Sequence, residues 1–151
     1  VKVAVVERHQ GTGNVACGFL KGYGIKAGAV ALSIAHDSHN IIVVGVSDEE
    51  MEFAVNSLIA QEGGMVLVKE GKVIESMPMP IAGLMSDQSG EWVDEKLTAI
   101  HAKAYEELGI AGDVEPVMTL CFMSLAVIPE VKLTDMGLFD VTTFSFIPVE
   151  A

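Results

Sequence analysis

The chain has 151 residues, half of them apolar, and nine Lys and Arg against twenty-one Asp and Glu give a formal charge of -12. This length suits one domain, residues 1–151, with a sizeable core, and the apolar share argues against disorder. The acidic balance disfavours nucleic acid and anionic membrane surfaces as partners, and no apolar run approaches the roughly 18 residues of a membrane-spanning helix.

The N-terminus lacks the basic-then-apolar order of a signal peptide. Cys17 and Cys121 are too few for a disulfide framework, and their apolar neighbours suggest buried free thiols and a cytoplasmic location. Val1 already lies inside an apolar run and no initiating Met precedes it, so a fragment of a longer protein is expected.

Residues 1–6 read as a first strand, and Gly11, Gly13 and Asn14 form a polar turn after Glu7, Arg8 and His9. Their spacing fits no phosphate-binding loop. Residues 14–24 suit either a strand or a short glycine-interrupted helix. Residues 29–35 alternate as a half-buried strand does, whereas residues 41–47 are almost continuously apolar, as in a strand covered on both faces. Their five-residue link is too short for a parallel crossover, so the pair should be antiparallel.

Asp48 is a candidate cap for a helix with Met51, Ala54, Val55, Leu58 and Ile59 on one stripe. Residues 65–69 and 72–77 suggest a hairpin about Glu70 and Gly71. The stretch 76–85 is rich in Met and Pro without amphipathic period, and it should cover a partner surface or thread the core. Ser89 should cap a second helix, residues 90–108, stopped by Gly109, with His101 structural or surface-lying. Residues 117–128 read as one or two core strands, 132–137 as a turn-rich link and 139–146 as a last aromatic segment. The expected fold is α/β, with mixed, partly antiparallel sheet layers and about two main helices.

The chemistry concentrates in the loop between the two central strands. His36, Asp37, His39 and Asn40 occupy five positions, and burying such groups requires an internal network or a partner. His36 and His39 are candidate metal ligands, with Asp37, Glu7 or His9 as a third donor. A non-metal polar ligand and a purely structural network remain open alternatives. Glu7 and His9 have the spacing of an acid/base pair on extended chain, and both segments should meet at one edge of the domain. Ser38 beside His39 lacks the elbow of a serine hydrolase.

The combination ERH…TGN…AHDSHNIIVVG, with PMPIAGLMSD, MTLCFMSLAVIPEVKLTDMGLFDV and FSFIPVE further on, resembles the C-terminal domain of bacterial adenine deaminases over nearly the whole chain. The resemblance implies a hydrolase converting adenine to hypoxanthine and ammonia in purine salvage. It also implies manganese or iron held by a preceding amidohydrolase barrel domain, which is absent here together with its HxH motif. The isolated chain is then expected to be inactive and to hold no metal tightly. Glu7, Arg8, His9, His36, Asp37, His39 and Asn40 would lie near the substrate or support the site. The implied partners are the barrel, adenine and further copies in a homo-oligomer. An accessory or oligomerisation domain and an independent small-ligand binder are the alternatives.

Overall fold

The computed structural model describes residues 1–150, and its frame follows from two-residue alternation in the central strands. Strands β1 (Lys2–Val6), β2 (Val15–Phe19), β3 (Ala29–Leu32), β4 (Ile41–Gly45), β5 (Gly64–Lys69) and β6 (Lys72–Pro78) form one sheet in the order β2-β1-β4-β3-β5-β6. Every pairing in it is antiparallel. Residues 14–24 thus supply a strand rather than a helix, and the two central strands pair antiparallel as expected, though both are shorter than the apolar runs.

Alternation divides the side chains between two cores. Val30, Leu32, Ile42, Val44 and Leu67 point to one face, while Ala29, Ala31, Ile41, Val43 and Val66 point to the other. Such strands must be covered on both sides, so β3 is buried at every position rather than half-buried as its alternation suggested. Helix α1 (Asp48–Ala60) covers β3, β4 and β5 through Met51, Ala54 and Leu58. Helix α2 (Gly90–Glu106) lies on the opposite face over β6 and β5, burying Ile100 and Ala104. Ser47, not Asp48, caps α1: its hydroxyl accepts the Glu50 N–H at 3.3 Å, and Asp48 becomes an acidic first-turn residue. Ser89 caps α2 as expected.

The largest difference from expectation lies at residues 117–128, where no strand forms. Helix α3 (Pro116–Cys121) continues into a 3-10 turn, Phe122–Ser124. Pro116 suits the first helical turn, and the Glu115 carboxylate accepts the Met118 N–H as a cap. Val117, Leu120 and Cys121 are buried while Met118 is exposed, so a helical stripe was hidden inside a uniformly apolar run. Residues 132–137 likewise differ from the expected link. They belong to β7 (Val131–Thr134) and the turn into β8 (Gly137–Asp140), which with β9 (Ser145–Ile147) builds a second, antiparallel sheet.

This small sheet packs on β2 and β1. Gly18 lies directly beneath it: a Cβ there would stand in van der Waals contact with Leu138 at 3.4 Å and Leu133 at 3.7 Å, with little space for a larger side chain. Cys121 is buried, but Cys17 is exposed: it faces outward from β2, an edge strand that no helix covers. The stretch 76–85 divides, with Met77 and Met79 in the core and Ile81 and Met85 exposed. No helix among the described residues is long and apolar enough to cross a membrane.

Candidate functional site

Strands β1 and β4 pair with Val6 opposite Ile41, so the segment after β1 and the loop before β4 leave the sheet at the same edge. Arg8 joins them. Its backbone N–H donates to Asn40 Oδ1 at 3.2 Å, its Nε donates to the His39 carbonyl, and its Nη2 donates to the Ala82 carbonyl at 2.8 Å. Burial draws the guanidinium pKa below its ordinary value. His9 Nε2 lies 2.7 Å from the Ser38 carbonyl, which can only accept, so that nitrogen carries the proton.

Glu7 is occupied by its own loop. Its carboxylate accepts the backbone N–H groups of His9, Gln10 and Thr12 at 2.5, 2.8 and 3.1 Å, and the Thr12 hydroxyl at 3.1 Å. These donors stabilise the anion and hold its pKa at about 2, far below the ordinary carboxylate range. Such a carboxylate is a poor proton shuttle near neutral pH. The Glu7–His9 acid/base pair allowed by spacing is therefore not formed; both residues fasten loops.

Asn40 is the buried keystone of the edge. Only 5% exposed, it receives the Arg8 N–H and donates from Nδ2 to Asp135 Oδ1 at 3.3 Å, tying β1 and β4 to the β7–β8 turn. The backbone around His36 is fixed as well. Its N–H donates to the Cys121 carbonyl at 3.0 Å, and its own carbonyl accepts from the Ser124 hydroxyl at 3.3 Å. Its imidazole stacks on Phe122 at 4.8 Å between centroids. Asp135, Ser124, Phe122 and the Ala82 carbonyl were not legible as members of this region, because each arrives from a distant segment and carries no motif.

Three side chains remain free for chemistry. The His36 ring is partly exposed and lies 3.7 Å from an Asp37 carboxylate that is itself open to solvent. His39 is half-buried in left-handed conformation (φ 53°), its N–H donating to the Ala35 carbonyl at 2.7 Å, and its imidazole takes no hydrogen bond among the described residues. The two histidines and Asp37 can donate or accept protons and hydrogen bonds toward a ligand at this edge. They do not make a metal centre: among the described residues no three His, Cys, Asp or Glu side chains gather to hold an ion. A cleft of about 380 Å³ opens between Glu7, Arg8, Ser33 and the C-terminal end of α1. Another, about 400 Å³, runs from Asp37 and Ser38 across Val127, Phe139 and Phe146.

The sequence profile described as the adenine deaminase C-terminal domain matches residues 1–145. The chain belongs to this family. It is 75% identical over all 151 residues to adenine deaminase 2 of Desulfotalea psychrophila. It is 53% identical over 149 residues, 99% of the chain, to an adenine deaminase of Nitratidesulfovibrio vulgaris. An adenine deaminase of Bacillus subtilis is 47% identical over 150 residues, again 99% of the chain. Each alignment takes in 26% of the relative, so this adenine deaminase C-terminal domain spans about a quarter of the length of the proteins it matches.

His101, outside this edge, is structural. Its Nδ1 lies 2.6 Å from the Leu97 carbonyl and its Nε2 contacts the Glu115 carboxylate, coupling α2 to the cap of α3.

Proposed function

We propose that the chain is the C-terminal domain of an adenine deaminase, a cytoplasmic hydrolase of purine salvage, and that its His36–Asn40 edge completes the substrate region of the longer protein. In the reaction, the oxygen of water adds to the amino-bearing carbon of the purine ring; the C–N bond then breaks and ammonia leaves, giving hypoxanthine. The observation that carries the assignment of the edge is the division of labour there. Arg8, His9, Glu7 and Asn40 hold the loops, while His36, Asp37 and His39 stay unspent at the surface those loops create.

Stacking on Phe122 and anchoring of both its backbone groups restrict His36, so its imidazole meets a ligand in a preset orientation. Such a ring can hydrogen-bond the purine edge or exchange a proton with a bound water. The domain's own donor set does not fit a metal ion, so we assign manganese or iron to the preceding amidohydrolase barrel.

Ammonia release from adenine, measured side by side on the full-length protein and on this chain, tests the reading. Turnover by the full-length protein and none by the chain is expected. No deamination by the full-length protein, or comparable turnover by the chain alone, contradicts it.

A further inference from the structure

Helix α1 lies over β3, β4 and β5; on the same face it reaches β1 only at its margin, where Ala4 is buried beside it, and leaves Val15, Cys17 and Phe19 of β2 exposed. The register places Lys2, Ala4 and Val6 beside Phe19, Cys17 and Val15, so this half-layer, covered at Ala4 and open along β2, is mostly apolar. Phe19 is 77% exposed, Val15 55%, and Ile59 on the adjoining flank of α1 57%. Between α1 and the shelf runs a groove of about 420 Å³ lined by Ala4, Val6, Val15, Val55 and Ile59. The opposite face of the same strands is sealed, with Leu133 and Leu138 packed over Gly18. The two edges of the sheet also differ in kind. β6 carries Lys72, Glu75 and a terminal Pro78, features that discourage association, whereas β2 reads Val-Ala-Cys-Gly-Phe with no charge and no proline.

The relatives extend well beyond this chain, which corresponds to 26% of their length and matches a domain that is C-terminal by its description. On the proposed reading of the chain as the C-terminal domain, the remaining polypeptide joins at Val1. The Val1 nitrogen donates to the Leu20 carbonyl at 3.0 Å, so the junction lies at the end of the shelf, next to Phe19. β1 has five residues and spans roughly 17 Å, the length of about eleven helical residues.

We propose that the segment immediately preceding Val1 in the longer protein turns back from this junction and packs across β1 and β2 alongside α1, seating apolar side chains on Val15, Phe19 and Ile59. The proposal rests on the reading of the chain as the C-terminal domain of a longer deaminase. The segment completes the helical layer that α1 begins, and it closes a face on which apolar side chains would otherwise stay in water. Roughly fifteen residues suffice to turn and run the length of the groove. Cys17, exposed at the middle of the shelf, becomes covered.

Two measurements on the full-length protein test it. The first is the rate of thiol labelling at Cys17 in the folded state. The second is photocrosslinking from a benzophenone-bearing phenylalanine at position 19, with peptides identified by mass spectrometry. Labelling slowed by more than about tenfold relative to the denatured protein, with crosslinks to the peptide just before Val1 in the same chain, is the expected result. Rapid labelling without crosslinks shows an open shelf and overturns the proposal. Crosslinks to a second copy, or to a remote part of the chain, also overturn it by naming another occupant. Ammonia release by the same sample is read separately: correct crosslinks without deamination support the docking and count against the deaminase reading alone.

Discussion

Replacement of Asn40 by Ala separates residues that hold the edge from residues left free on it. The substitution removes the acceptor for the Arg8 N–H and the donor to Asp135, at a site only 5% exposed where water does not readily substitute. One lost bond involves a carboxylate, and one backbone N–H is orphaned, which together cost roughly 2–4 kcal/mol. With a urea slope of about 2 kcal/mol per molar, the unfolding midpoint falls by about 1–2 M. Asp37→Ala is the internal control. Its carboxylate is exposed and stands 3.7 Å from His36, so the midpoint should shift by less than about 0.3 M. Urea titrations followed by circular dichroism give both numbers. Equal stability of Asn40→Ala and the parent, or an equal loss in Asp37→Ala, would refute the division into fastening and free groups.

The Glu7 carboxylate has its pKa lowered from an ordinary 4.5 to about 2, so its loop anchoring is fully present above pH 4.5 and is lost as the pH falls toward 2. Protection of the His9, Gln10 and Thr12 amides, relative to intrinsic exchange at each pH, should fall through that window in the parent, and Glu7→Gln should remove this change in protection. Burial pushes the Cys121 thiol up to about 12, whereas Cys17 is exposed; in the isolated chain a thiol reagent should therefore modify Cys17 at once and Cys121 only on unfolding, as mass spectrometry would show. Gly18→Val should loosen the small sheet, since its Cβ would already touch Leu138 at 3.4 Å and the two methyls beyond it would have to displace that side chain; a melting temperature equal to the parent's would contradict this packing.

The main sheet was legible where periodicity and burial agree. The dense run Ile41–Gly45 announced a strand covered on two faces, whereas the alternation of Val30 and Leu32 announced a strand but suggested one open face, because Ala29 and Ala31 are too small to show from sequence that they too are buried. The polar cluster between them stood out for the same reason, because four hydrogen-bonding groups interrupt two apolar runs. Residues 117–128 were misleading, since an apolar run carries no visible period: the choice of helix was made by Pro116 and the Glu115 cap at its start. Lys132 to Gly137 looked like a link because Thr134, Asp135 and Gly137 are turn formers, yet Leu133 is anchored in the core and makes a strand of its segment. Within the edge, the sequence offered seven candidate residues without ranking them. Distinguishing Asn40 and Arg8 from His36 required knowing that Asp135, Ala82 and Ser124, remote in sequence, supply their partners or fix their backbone.

His36→Asn in the full-length protein is the most direct test, with kcat/KM for adenine and melting temperature measured on the same preparation. The ring stacks on Phe122 and its backbone groups are anchored, but its side chain makes no short hydrogen bond within the domain, so Asn should be accommodated with little change in stability. We expect kcat/KM to fall by more than about tenfold, at least roughly 1.4 kcal/mol of transition-state stabilisation, while the melting temperature stays within about 2 °C of the parent. Unchanged kinetics with a markedly lower melting temperature would contradict the account and make His36 part of the architecture alone.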